Sequence, residues 1–236
     1  MVLTSLFDGR LEPLTYSIGF LSAPPERAAR AVRWLYFRWP DAWRRVAVLD
    51  GGLEEALLQL QPLGGFLLPR VLVASTALEG WSAVFDGDAR GQGVRGLSVR
   101  LARALRVPGY FVAAAPPASD PEHFPGFRQF YVLGPQTGRD HVRAVWVSEE
   151  EDVGRWHFGT DGEVQPYEDV EAYRRRRHTD RFTEQMLVDY AAAVGLRPWE
   201  DSFYRPPFHL ITSLRLGRDR FQRTLAQVRT EMKLDE

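Results

Sequence analysis

Residues Phe127–Phe158, FRQFYVLGPQTGRDHVRAVWVSEEEDVGRWHF, decide the fold class. Three strand-like runs lie within them: Phe127–Leu133, Val142–Val147 and Arg155–Phe158. Each is rich in Val, Phe, Tyr or Trp, and polar stretches holding Gly134-Pro135 and Gly154 separate them. Connections this short favour antiparallel neighbours, because parallel strands need a crossover of about a dozen residues. Downstream, Asp161-Gly162 supplies the positive φ angles of a tight turn, so Arg155–Phe158 and Glu163–Tyr167 are expected to form a hairpin. Trp156 and Phe158 then share one face, opposite Arg155 and His157.

Upstream of that stretch the pattern continues with strands at Val71–Ala74, Trp81–Phe85 and Gly109–Ala114 and one helix from about Leu97 to Arg106. Before Arg70 the order is β-α-β-α. Leu14–Leu21 reads as a strand, and Pro24-Pro25 opens a helix to about Arg38. Its apolar stripe is Ala28, Val32, Leu35, Tyr36 and Trp39, and Trp39-Pro40-Asp41 ends it. Arg45–Leu49 follows as a strand, Asp50-Gly51-Gly52 as a turn, and Leu53–Gln61 as a helix closed by Pro62 and Gly64-Gly65. Beyond the hairpin, Glu168–Val194 is helical in two pieces, with Phe182, Met186, Tyr190, Ala191 and Val194 on one face and Gly195 as the stop. An irregular Pro198–Pro207, a strand Phe208–Leu214 and a helix Arg218–Met232 complete the chain. The class is α+β: a mostly antiparallel central sheet with helices packed on it, preceded by an N-terminal β-α-β-α segment. One domain over residues 1–236 is expected, with division into 1–65 and 66–236 the open alternative.

Composition removes several functions. The 236 residues are 44% hydrophobic and carry a formal net charge of −1, so no global positive field favours a nucleic-acid backbone. Lys233 is the only lysine, so every other cationic chain is arginine, whose planar fork suits carboxylates, phosphates and aromatic faces. The absence of cysteine excludes disulfides, thiol nucleophiles and cysteine-ligated metals. Asp8, Arg10 and Glu12 interrupt any apolar leader, and no apolar run reaches membrane-spanning length, so the expected location is cytoplasmic, away from membranes.

Motifs that carry chemistry are weak throughout. Gly91-Gln92-Gly93-Val94-Arg95-Gly96 matches G-x-G-x-x-G before a helix, but no acidic residue follows the next strand to hold a ribose. A turn and helix cap is the stronger reading, and an isolated anion bound there with Arg90, Gly91, Gly93 and Arg95 is the functional one. Asp86-Gly87-Asp88 begins like a calcium loop, yet Arg90 and Leu97 stand where oxygen ligands belong, so turn chemistry explains both aspartates better. His123, His141, His157, His178 and His209 form no short ligand pair, and no metal is expected. Ser98 fails the nucleophile-elbow pattern, and Glu149-Glu150-Glu151-Asp152 is a solvated surface run. Arg143, Arg155 and His157 could gather into a polar anion cluster beside the hairpin. The densest basic feature is Arg174-Arg175-Arg176-Arg177-His178 with Arg181. On one helix Arg174, Arg177 and Arg181 would share a face, diluted by Glu171, Asp180 and Glu184.

The runs VLVAST at 71–76, GWSAVFDG at 80–87, RWHF at 155–158, QPYE at 165–168 and DRFT at 180–183 resemble immunity-like proteins of polymorphic toxin systems from GC-rich bacteria. The resemblance covers the chain from Val71 to Tyr204 and brings no catalytic residue with it. It implies a protein that binds and occludes a toxin. The expected function is therefore a noncatalytic protein-interaction module that uses no cofactor, with Trp156, Arg174, Arg177 and Arg181 contacting the partner, since Trp and Arg are enriched at interface hot spots. The alternative is an enzyme or small-ligand or anion-binding protein whose site is assembled from separated segments. Nucleic acid is the least favoured partner, because the basic run lacks interleaved aromatic residues.

Overall fold

A computed structural model describes residues 4–36, 42–64, 70–117, 125–135, 139–150, 154–215 and 222–235, without the side chains of 36, 42–44 and 213–215. Its strands are β1 (Ser17–Leu21), β2 (Ala42–Leu49), β3 (Val71–Thr76), β4 (Ser82–Asp86), β5 (Gly109–Ala115), β6 (Phe127–Leu133), β7 (Arg143–Glu149), β8 (Trp156–Gly162) and β9 (Tyr204–Arg215). The helices are α1 (Pro25–Tyr36), α2 (Leu53–Leu58), α3 (Val94–Leu105), α4 (His178–Arg181), α5 (Glu184–Ala193) and α6 (Leu225–Glu231). All nine strands join one sheet in the order β2-β9-β3-β4-β1-β5-β6-β7-β8, and every pairing is antiparallel. Strands β5 to β8 form a meander, and its β6–β7 and β7–β8 connections follow the reading of residues 127–158. The N-terminal β-α-β-α order is present, but its strands are far apart: β1 is the middle strand, between β4 and β5, and β2 is an outer edge.

Register fixes the two faces. Gly19, Phe111, Tyr131, Ala144 and Asp161 lie in one transverse row. The flanking row, Ile18, Val112, Phe130, Val145 and Thr160, points the other way, because strand side chains alternate. Helices α1 and α3 cover the first face: a Cβ on Gly19 would sit 1.9 Å from Ser98 Oγ of α3, which the missing side chain allows. The second face is covered by α5, whose Tyr190 packs edge-on against Phe130 at 6.1 Å, and by the segment 172–181 over β7 and β8. Fully buried Phe20, Phe85, Phe111, Phe130, Phe182 and Phe208 fill the core. Burying each contributes roughly 1.5–3 kcal/mol.

Four local expectations need correction. The Asp161-Gly162 hairpin does not form. β8 runs through both residues, paired to Ala144 and Arg143, and Glu163–Tyr167 is not a strand. Pro166 lacks a donor for such a strand, and Glu168 is drawn back over the sheet to Arg143. The segment before α5 is not one helix. Arg175 (ψ 150°) and Arg177 (ψ 132°) are extended, so a single turn, Ala172–Arg174, is separated from α4. Residues Leu11–Tyr16 form turns ahead of β1, and α6 begins at Leu225, after the Thr224 capping box. Trp39-Pro40-Asp41, Gly65, His123, Glu151, Asp152 and Arg218 lie outside the described residues.

Candidate functional site

The sheet ends at β8, and there two sets of sequence-predicted residues meet. The segment 174–181 is clamped to β8 by contacts that leave part of its charge free. His178 Nδ1 lies 2.5 Å from the Trp156 carbonyl oxygen. The Arg128 guanidinium, from β6, stacks 5.4 Å from the Trp156 ring and donates to the carbonyls of Phe182 (2.9 Å) and Thr179 (3.2 Å). Burial lowers the Arg128 pKa. Arg181 lies over Phe158 at 5.8 Å, and its Nε donates to the Arg175 carbonyl at 2.6 Å. Arg181 and Trp156 therefore hold the segment in place, and Trp156 is half-buried.

Outside that clamp stand the exposed Arg155, Arg174, Arg175, Arg176 and Arg177. Arg174 pairs with Glu171 at 3.0 Å, an exposed pair of little energetic weight, and Arg175 donates to the Asp180 carbonyl. Among the described residues, the guanidinium groups of Arg155, Arg176 and Arg177 meet no partner. His157, from the opposite face of β8, lies 2.9 Å from Glu150 and has its ring 6.1 Å from that of His178. Arg174, Arg177 and Arg181 share no helix face, because the chain breaks between them. Of the run, His178 and Arg181 are the residues that touch β8, at Trp156, His157 and Phe158. The exposed forked donors around them can take carboxylates or phosphates.

The expected cluster of Arg143, Arg155 and His157 is not assembled. Arg143 pairs with Gly162, five residues along β8 from His157, roughly 17 Å away at strand spacing and on the other face. The residue is 3% exposed and each of its three guanidinium nitrogens donates: Nε and Nη2 to the two Glu168 oxygens at 2.9 and 2.7 Å, and Nη1 to the Gly162 carbonyl at 2.9 Å. Glu168 also accepts from the Tyr173 hydroxyl (2.7 Å) and the Gln165 amide (2.8 Å), and Tyr173 meets Tyr190 at 3.0 Å. Burial first, then the Tyr190 and Glu168 hydrogen bonds, push the Tyr173 phenol well above its ordinary range. The network locks the loop after β8 onto the sheet, and an outside anion would have to displace Glu168 to reach the buried Arg143.

The Gly91–Gly96 turn is filled by the chain's own carboxylates. Asp86, 2% exposed, accepts from the Asp88 amide at 3.2 Å, and Asp88 accepts from the Gln92 amide at 2.9 Å. A Cβ on Gly93 would lie 2.4 Å from Asp86 Oδ2, and one on Gly91, at φ +64°, 2.4 Å from the Pro13 carbonyl. The backbone donors that could approach a phosphate are turned onto Asp88. Burial and the neighbouring Asp88 carboxylate raise the Asp86 pKa to about 7. Arg90 is exposed, and Arg95 donates to the Tyr131 hydroxyl at 3.3 Å and stacks on its ring.

Among the described residues no three His, Asp or Glu side chains converge to hold a metal, and no helix is long and apolar enough to cross a membrane. A shallow cleft of about 100 Å³ lies between Val188, Ala192, Leu196 and Arg197–Glu200, well below the ~300 Å³ at which small-molecule sites begin. Sequence reasoning missed Glu168 and Arg128, which lie far along the chain from the groups they hold. The alternation of β6 places Arg128 on the Phe130 face, a signal that one buried-side arginine exists but not what it binds. Comparison with protein-family models, curated proteins and solved structures finds no match to this chain.

Proposed function

We propose that this chain is a noncatalytic protein-interaction module that docks an acidic protein surface against the β8 edge. A toxin is the partner class that the immunity-like resemblance implies, occlusion is the mode of action, and the cytoplasm is the compartment. The observation that carries the reading is that Arg155, Arg176 and Arg177 are exposed while the backbone of the basic segment is anchored by Arg128, His178 and Arg181. Rigid presentation lowers the entropy cost of each charge-assisted contact to a partner. The competing ligand-binding reading loses its best anchors, since Arg143 is spent on Glu168 and the glycine turn on Asp88.

Affinity purification of the full chain from its native host tests the proposal. A protein recovered in fixed stoichiometry with the wild type, lost with Arg155→Glu/Arg176→Glu/Arg177→Glu and kept with Glu150→Ala, is the expected result. Arg177→Ala and Trp156→Ala should each weaken binding roughly tenfold or more, as interface Arg and Trp residues do. Recovery of the chain alone, or of the same protein equally on all variants, contradicts the assignment.

A further inference from the structure

We propose that two copies of this chain pair edge to edge through β2, antiparallel, in the register that sets Val46 of each copy against Val48 of the other. Among the described residues β2 is hydrogen-bonded on one side only, to β9, over eight matched positions from Ala42↔Arg215 to Leu49↔Phe208. That pairing contains no proline, bulge or register shift, three devices that ordinarily blunt an edge. Val46 and Val48 are 37% and 60% exposed, where β-branched side chains on a sheet are usually covered. Both point to the α1 face, since Val48 pairs with His209 and His209 Nε2 faces Glu26 of α1 at 3.9 Å. Trp34 of α1, 60% exposed, adds apolar surface on that side. The opposite edge, β8, presents His157, Thr160 and Asp161 with two glycines and lacks such a run.

The occupant follows from self-complementarity. A twofold axis perpendicular to the sheet keeps both α1 faces on one side and pairs positions of equal parity. With Arg45 on the axis, that arginine would face itself, and like charges directly opposite destabilise a strand pair. With Val48 on the axis, Val46 would face Asp50. With Val46 on the axis, only one valine pair forms. With Ala47 on the axis, Val46 meets Val48 twice and Arg45 meets Leu49 twice, so both valines are covered and no like charges meet. A second copy of β2 thus supplies the complement that this strand lacks, and the sheet continues across the dimer.

Sedimentation velocity of the full chain over a concentration series tests this. The wild type should sediment at twice the monomer mass. Val46→Glu/Val48→Glu, at exposed positions that leave the core untouched, should raise the dissociation constant at least ~100-fold, because like charges across an interface are strongly unfavourable. Val46→Glu/Val48→Lys should restore the dimer, since each introduced carboxylate then faces an introduced ammonium. The chain has no cysteine, so Ala47→Cys should give a single disulfide-linked dimer on oxidation, its two thiols meeting on the axis. A wild type monomeric at every concentration, equal behaviour of the two charge variants, or an Ala47→Cys chain that fails to cross-link would overturn the proposal.

Discussion

Replacing Asp86 by Asn should change the pH dependence of stability in a specific direction. In the folded chain Asp86 is fully buried beside Asp88, and its carboxyl titrates near 7, raised from 3.8 first by burial and then by the Asp88 charge. In the unfolded chain it titrates near its ordinary value. Between about pH 4 and 7 the folded state therefore binds more protons, so this group's contribution is full below the unfolded pKa and is lost as pH rises through the folded one. The rise from 3.8 to about 7 corresponds to roughly 4 kcal/mol in total, of which about 2–3 kcal/mol is lost between about pH 5 and pH 8. Asparagine matches the shape of the protonated acid and does not titrate. Urea unfolding of both proteins at the two pH values should show the stability of Asp86→Asn, relative to wild type, rising by about 2–3 kcal/mol at the higher pH, with m-values unchanged. A difference that stays constant across that range would refute the buried, proton-holding assignment of Asp86.

Other perturbations probe the remaining parts of the structure. Glu168→Ala strands the buried Arg143 guanidinium and should destabilise by about 3–5 kcal/mol in chemical denaturation, whereas Arg143→Met/Glu168→Leu should recover most of that loss. Gly91→Ala combines a left-handed φ with a contact against the Pro13 carbonyl and should cost about 2 kcal/mol or more, read as a lowered melting temperature. Arg128→Ala removes the stack on Trp156 and both carbonyl contacts, so trypsin should cut at Arg174–Arg177 faster while the sheet core keeps its amide protection.

How far the sequence could be read follows from the range of the forces involved. The β6–β8 part of the meander was legible because alternation and short connections act over a few residues, as were α1, with Ala28 and Val32 buried, and α5, with Met186 and Tyr190 buried and Phe182 buried just ahead of it. The placement of β1 at the centre of the sheet was not, because strand order depends on pairings between distant segments such as Ser17 with Ala113. The Asp161-Gly162 hairpin misled because a local turn preference was overridden by the Arg143–Glu168 pair across 25 residues. The basic run misled similarly. Helical spacing puts Arg174, Arg177 and Arg181 on one face, but Arg128 and the Trp156 carbonyl fix that segment from outside it, and no pattern within the run encodes those contacts. The glycine turn matched a phosphate-binding motif, while the anion it serves, Asp88, stood just ahead of it in the chain.

Hydrogen–deuterium exchange of the full chain, free and bound to the protein recovered from its host, tests the docking assignment most directly. Protection gained on binding should fall on Arg155–Gly162 and Arg174–His178, with Gly91–Gly96 unchanged. Protection that falls on the glycine turn, or anywhere but the β8 edge, would contradict it.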